Sequence, residues 1–221
     1  MDLKKLAAEK AVEFIEDNSV VGLGTGSTAY WAIQKIGEKV KEGFRVKAVA
    51  TSQQSENLAR ELNIPIIPFS DIDGIDVTID GADEVDKYRN LIKGGGGALL
   101  REKIVAYHTK KYLIIVDEKK LVAHLGKFPL PVEVLPFAVD LTIKRLKRFS
   151  QVVNLRQSDG KNYVTDNGNF IADINLYPIV DPEHMNEALH QIPGVIETGL
   201  FLQKLVGNVI VGRSDGEIGI L

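Results

Sequence analysis

The sequence predicts an α/β fold: a doubly wound, mostly parallel sheet interrupted by a smaller α+β unit. Three observations carry this reading. From Leu3 to Val116, helix-period and strand-period segments alternate. Turns rich in glycine and hydroxyl residues follow strands instead of interrupting them, as in sheets whose loops gather at the carboxyl ends of the strands. The rhythm then changes after Lys120, and Lys127-Phe128-Pro129-Leu130-Pro131 marks a junction that two prolines stiffen.

An amphipathic helix is expected over Leu3 to Asp17, with Leu3, Leu6, Ala7, Phe14 and Ile15 in its apolar stripe. The strand Val20 to Leu23 runs into Gly24-Thr25-Gly26-Ser27-Thr28, which opens a helix reaching about Lys41. Arg45 to Ala50 reads as the next strand, and Ser52 as the N-cap of a helix ending near Asn63. Ile64 to Ile67, Val77 to Asp80 and Tyr112 to Val116 continue the strand series.

Beyond Lys127 the order is strand (Val132 to Leu135), helix (Phe137 to Phe149), strand (Gln151 to Leu155), strand (Phe170 to Asn175), helix (Pro182 to Gln191), strand (Val195 to Phe201). That is the split β-α-β order of ferredoxin-like domains. Asn208 to Val211 reads as one more buried strand, and Glu217 to Leu221 as an extension rejoining the first sheet, so the smaller unit is expected to be an insertion.

With 221 residues, 44% of them hydrophobic, the chain can bury a sizeable core. Its 27 basic and 30 acidic residues are interspersed, which offers no footprint for nucleic acid or a membrane surface and turns attention to small molecules. The absence of cysteine excludes disulfides, thiolate nucleophiles and Cys-based zinc sites. With no apolar run of signal or transmembrane type, a cytoplasmic protein is expected.

The most informative segment is Leu91-Ile92-Lys93-Gly94-Gly95-Gly96-Gly97-Ala98-Leu99-Leu100-Arg101-Glu102. Bare backbone N–H groups and a helix start form an anion-binding turn, with a lysine on one side and a glutamate on the other. Gly22-Leu23-Gly24-Thr25-Gly26-Ser27 has serine where a dinucleotide fingerprint needs its third glycine, and the next strand ends in Ala50-Thr51-Ser52 without an acid for a ribose. A Walker A frame fails for want of its lysine. What survives is a loop for a compact anion, set against an ordinary capped strand-to-helix turn.

Asp80-Gly81-Ala82-Asp83-Glu84-Val85-Asp86 follows a strand, which places Asp80 and Asp83 at the ligand-binding rim, while Glu84 and Asp86 read as solvated acids. No calcium-loop frame fits, whereas magnesium held by one or two of these carboxylates stays open as an alternative. His108, His124, His184 and His190 are scattered without ligand spacing, and no G-x-S-x-G elbow supplies a serine nucleophile. Hydroxyls, glycines, carboxylates and lysines on one sheet edge suit a small phosphorylated polyol. Proton transfer next to a carbonyl, as in aldose–ketose isomerisation, is the chemistry they best support.

Gly24-Thr25-Gly26-Ser27-Thr28, Asp80-Gly81-Ala82-Asp83-Glu84, Lys93-Gly94-Gly95-Gly96-Gly97-Ala98 and Arg101-Glu102-Lys103 together resemble ribose-5-phosphate isomerase of the A type. Gly126 to Val134, Thr165-Asp166-Asn167-Gly168-Asn169 and Ile192-Pro193-Gly194-Val195 extend the resemblance along the chain in the same order. The resemblance implies interconversion of ribose 5-phosphate and ribulose 5-phosphate in the non-oxidative pentose phosphate pathway, through an enediolate. It implies no metal or other cofactor, and a homodimer or homotetramer. It also implies a Rossmann-like catalytic domain over residues 1–127 plus 203–221, with a ferredoxin-like lid over residues 128–202.

By the same resemblance Glu102 is the general base, Asp80 and Asp83 contact sugar hydroxyls and assist ring opening or proton transfer, and Lys93 stabilises the enediolate with the N–H groups of Gly94, Gly95 and Gly96. Thr25, Gly26, Ser27, Thr28, Gly81, Ala82 and Lys120 match substrate-binding positions, and Lys4 reaches for the phosphate. A helix start favours the charged form of Glu102, whereas burial and neighbouring aspartates favour the neutral one. A phosphosugar-sensing domain without chemistry is the alternative function, and CoA transfer on a related scaffold a third.

Overall fold

A computed structural model describes residues 2–221. In chain order it begins α1 (Leu3–Val12), β1 (Ser19–Leu23), α2 (Ser27–Lys41), β2 (Val46–Ala50), α3 (Gln53–Glu61) and β3 (Ile75–Gly81). The short strands β4 (Glu84–Val85) and β5 (Leu91–Ile92) precede α4 (Leu99–Tyr107) and β6 (Thr109–Asp117). Then come β7 (Leu130–Val134), α5 (Val139–Leu146), β8 (Val153–Leu155), β9 (Gln157–Ser158), β10 (Lys161–Asn162) and β11 (Phe170–Ile174). The chain closes with α6 (Pro182–His190), β12 (Val195–Thr198), β13 (Leu200–Phe201), β14 (Val209–Gly212) and β15 (Ile218–Ile220).

Two compact units result: Met1–Ala82, Arg101–Lys120 and Lys204–Leu221 form the first, Asp83–Leu100 and Leu121–Gln203 the second. The first contains a six-stranded sheet in the order β15-β14-β6-β3-β1-β2, parallel except for the edge strand β15. Its tail rejoins this sheet as the sequence predicts, and the structure adds the directions: β14 lies parallel to β6 and β15 returns antiparallel. Apolar faces of α1 (Ala7, Ala8, Ala11) and α2 (Ile33, Ile36) bury against Val21, Leu23, Val77, Ile79, Leu113 and Ile115. The small residues of α1 allow close approach. A Cβ on Gly212 of β14 would lie 2.1 Å from the Leu3 carbonyl oxygen.

The helix expected over Leu3 to Asp17 stops at Val12. Asp2 caps its start, and the Asp17 side chain accepts from the Arg45 N–H at 2.8 Å, which holds the following turn against the start of β2. Ile64 to Ile67 does not form a strand: Ile66 makes only an isolated bridge to Ala48, because Pro65 and Pro68 on either side lack the N–H a ladder needs.

In the second unit β7-α5-β8-β11-α6-β12 folds into a four-stranded antiparallel sheet ordered β12-β7-β11-β8, the ferredoxin-like arrangement. Leu130, Val132, Val134, Ala172, Ile174, Leu146 and Leu189 fill its core. The single strand expected over Val195 to Phe201 divides at Gly199, where a Cβ would lie 2.4 Å from the Lys93 carbonyl oxygen. Residues before Gly199 pair with β7 and those after it with β5.

Residues 83–100 and 121–127 cluster with the second unit, although the catalytic domain expected over residues 1–127 includes them. β4 and β5 pair with one another, and β5 with β13, while Glu84 accepts hydrogen bonds from the N–H groups of Gly126 and Phe128, both at 2.6 Å. Glu84 and Asp86 are therefore buried, not solvated. Asp86 accepts from the N–H groups of Tyr88 and Asn90 and from the Asn90 side chain, closing the turn between β4 and β5.

Candidate active site

The site residues anticipated from the sequence divide between the two units. The first unit holds Lys4, Thr25, Gly26, Ser27, Thr28, Asp80, Gly81, Ala82, Glu102 and Lys120. The second holds Asp83, Lys93, Gly94, Gly95 and Gly96.

Asp80, the penultimate residue of β3, has 0% of its surface exposed. Its Oδ1 accepts from the N–H groups of Thr25 at 3.1 Å and Gly81 at 2.8 Å, and its Oδ2 from the Tyr112 hydroxyl at 3.2 Å. Gly24 is a glycine because a Cβ there would sit 2.3 Å from Asp80 Oδ1. Glu102, in the first turn of α4, is only 4% exposed. Burial pushes the Tyr112 phenol well above its ordinary value of 10.0, and the charges of Asp80 and Glu102 push it the same way. Tyr112 thus stays protonated and donates. Sequence periodicity makes it only a strand residue, and parallel pairing of β3 with β6 brings it to Asp80.

After β1, Gly26 takes φ +101°, with open space where a Cβ would stand, and no side chain caps α2. The helix start at Ser27 and Thr28 is thereby left as a cradle for an anion. Lys4 Nζ donates to Ser27 Oγ at 2.9 Å, which puts the ammonium beside that cradle. The Thr25 hydroxyl faces inward, 2.7 Å from that of Thr51 and 2.8 Å from that of Ser52, while Ser55 donates to the Gly24 carbonyl at 2.6 Å. Thr51 and Ser52, which follow β2, are buried and pin the loop from behind. Lys120 lies half-buried in a 3₁₀ turn after β6.

In the second unit Lys93 is 2% exposed, its ammonium 5.4 Å from the centre of the Phe201 ring. The glycine run folds as a turn closed by Gly97 N–H donating to the Gly94 carbonyl at 3.0 Å, with φ +99° at Gly94 and +84° at Gly97. Asp83 Oδ2 accepts the Gly95 N–H at 2.7 Å, so that donor serves the turn itself; a Cβ on Gly95 would lie 2.6 Å from Asp83 Oδ1. Arg156 and Tyr163, to which no sequence motif points, donate to carbonyls of this turn. Among the described residues no group of three or more His, Asp or Glu side chains is placed to hold a metal ion.

The sequence model of ribose 5-phosphate isomerase A (phosphoriboisomerase A) matches residues 47–216. The chain is 49% identical to ribose-5-phosphate isomerase A of Bacillus mycoides over 218 residues, covering 98% of each chain. Against the Listeria monocytogenes protein of that name it is 50% identical over 219 residues, covering 99% of this chain and 97% of the other. Among solved structures, a D-ribose-5-phosphate isomerase in complex with phospho-erythronic acid superposes with a TM-score of 0.95 at 46% identity, over 100% of this chain and 97% of the other. Ribose 5-phosphate isomerase A of Methanocaldococcus jannaschii gives 0.93 at 39% identity, over 100% and 98%. Matching in sequence and fold along its length, the chain belongs to the ribose 5-phosphate isomerase A family.

Proposed function

We propose that this chain interconverts D-ribose 5-phosphate and D-ribulose 5-phosphate through an enediolate, with Glu102 as the base. The observation that carries the assignment is a carboxylate nearly withdrawn from water at the start of α4, in a chain about half identical to curated isomerases of this reaction. Glu102 removes the C2 proton of the open-chain aldose and returns it to C1 of the enediolate, while a proton passes between the oxygens of C1 and C2. Atoms and charge balance without an external acid, oxidant or metal.

Asp80 and Asp83 bind the sugar hydroxyls and assist ring opening and transfer of the proton between oxygens. Lys93 and the turn formed by Gly94, Gly95 and Gly96 stabilise the charge that develops on the enediolate. The phosphate goes to the start of α2, where Gly26, Ser27 and Thr28 offer backbone donors and Lys4 a cation, a division of labour supported by the open space at Gly26. Gly81, Ala82 and Lys120 complete the binding set. Phospho-erythronic acid, bound by a solved relative, carries a carboxylate in place of the reacting carbonyl end, as an enediolate mimic should.

Incubation with ribose 5-phosphate in the presence of EDTA, following ketose formation, tests the assignment. Turnover is expected, and Glu102→Gln should lower kcat by at least about 10²-fold, the scale of a positioned acid–base group. Near-normal turnover of that variant overturns the role of Glu102. Tight sugar-phosphate binding without turnover by the unaltered chain indicates a sensor.

The homodimer or homotetramer is proposed on the same footing. Phe137 and Leu141, 83% and 67% exposed beside a groove of about 900 Å³ on the second unit, form an apolar surface that a second copy would cover. Solution mass tests it. A cytoplasmic setting accords with a chain free of cysteine, in which no described helix is long and apolar enough to cross a membrane.

A further inference from the structure

The proposed function gives the glycine turn the enediolate to stabilise, and the following inference rests on that reading. A trans peptide is planar, with its C=O and N–H pointing in opposite directions. Whatever grips the carbonyls of this turn therefore aims its N–H groups. The grip comes from Arg156: its Nη1 donates to the Gly94 carbonyl at 2.9 Å and to the Gly95 carbonyl at 3.0 Å. The Tyr163 hydroxyl reaches the Gly96 carbonyl at 3.4 Å, and its ring lies 6.0 Å from the guanidinium carbon.

Arg156 is itself held by a two-point fork, Nε to Asp173 Oδ2 at 2.9 Å and Nη2 to Asp173 Oδ1 at 2.6 Å, with the two side chains 16% and 24% exposed. Sheet register makes this possible. Arg156 follows β8 and donates its N–H to the Ile171 carbonyl, so Asp173, two residues further along β11, shares its face. With Nε and Nη2 on Asp173, Nη1 serves the glycine carbonyls.

We infer that Arg156 is a positioning residue for the isomerisation. It fixes the Gly95–Gly96 peptide so that the Gly96 N–H is offered to the enediolate, and its charge polarises that peptide into a better donor. The Gly95 N–H is already committed to Asp83, so Gly96, on the exposed part of the turn, is the donor that this orientation controls. Lysine cannot substitute: it lacks the planar fork that holds Asp173 and two carbonyls together.

The test compares Arg156→Ala, Arg156→Lys, Asp173→Asn and Lys93→Met in the full chain. Steady-state kinetics on ribose 5-phosphate are measured beside the Kd of phospho-erythronic acid. Arg156→Ala is expected to lower kcat on the order of 10-fold or more with a smaller change in KM, the scale of a misdirected oxyanion donor. The Kd of phospho-erythronic acid should rise in parallel with the fall in kcat/KM, and added guanidinium should restore part of kcat. Should the alanine variant fail to fold, Arg156→Lys carries the same comparison. Arg156→Lys and Asp173→Asn with kcat within about twofold of the unaltered chain, while Lys93→Met loses turnover, overturn the inference about Arg156. Lys93→Met with full turnover overturns instead the placement of the enediolate at the glycine turn.

Discussion

The Tyr112 hydroxyl donates to Asp80 Oδ2 at 3.2 Å, joining neighbouring parallel strands through a phenol and a carboxylate that are both withdrawn from water. The phenol must be neutral to donate. Burial first, and then the charges of Asp80 and Glu102, keep it so far above the ordinary 10.0.

Tyr112→Phe is therefore expected to cost about 1–3 kcal/mol, the range for a lost bond to a buried acceptor, and to disturb the carboxylate proposed to contact the sugar. Its pH signature is specific. The folded pKa is raised, so the stability from Tyr112 is complete below pH 10 and is lost as pH climbs above it, where the unfolded chain gives up the proton first. Urea unfolding between about pH 8 and 11 should show a flatter alkaline decline for the phenylalanine variant. An unchanged slope counts against a neutral, buried phenol.

Asp76 makes the opposite prediction at acid pH. Its Oδ2 accepts from the Val20 N–H at 2.8 Å and its Oδ1 from Lys110 Nζ at 2.9 Å. The Val20 bond first, then Lys110, hold this carboxylate below its ordinary 3.8. Its contribution is therefore present above that value and fades as pH falls through the lower folded one. With its side chain 42% exposed the effect is small. Asp76→Asn should flatten the acid limb of stability while leaving kcat unchanged, since Asp76 sits at the amino ends of the strands, away from the site loops. A fall in kcat contradicts this.

Glu133 is wholly buried in β7, its Oε1 taking bonds from Thr165 Oγ1 at 3.0 Å, Asn167 Nδ2 at 3.2 Å and Asn169 Nδ2 at 2.9 Å. This explains the turn Thr165 to Asn169 as a structural motif. Glu133→Ala leaves buried donors without that acceptor and should cost about 3 kcal/mol, whereas Glu133→Gln keeps an oxygen there and should cost less. Thermal unfolding of the two variants checks the order.

Two glycines of the first loop should fail differently. Gly24→Ala forces a Cβ against Asp80 and should lower both stability and kcat. Gly26→Ala meets no neighbour but must hold φ +101°, a strain of about 1–3 kcal/mol, and it crowds the proposed phosphate cradle, so KM should rise more than kcat falls. Equal effects on KM for the two variants would remove the phosphate from the α2 start.

Periodicity alone was enough for most of the strands and helices and for the return of the tail to the first sheet, because 2.0 and 3.6 residue repeats are local facts. Glycine, lysine and carboxylate motifs named the family on residues alone. Tertiary structure decided what depends on register and burial. It gave the Gly95 N–H to Asp83, turned the hydroxyls of Thr51 and Ser52 inward, buried Glu84 and Asp86, and broke the last predicted strand at Gly199. Tyr112 reached Asp80, and Arg156 the glycine turn, only through the pairing of β3 with β6 and of β8 with β11. Such partners lie 32 and 62 positions apart, and a strand carries no local mark of the side chain that will face it.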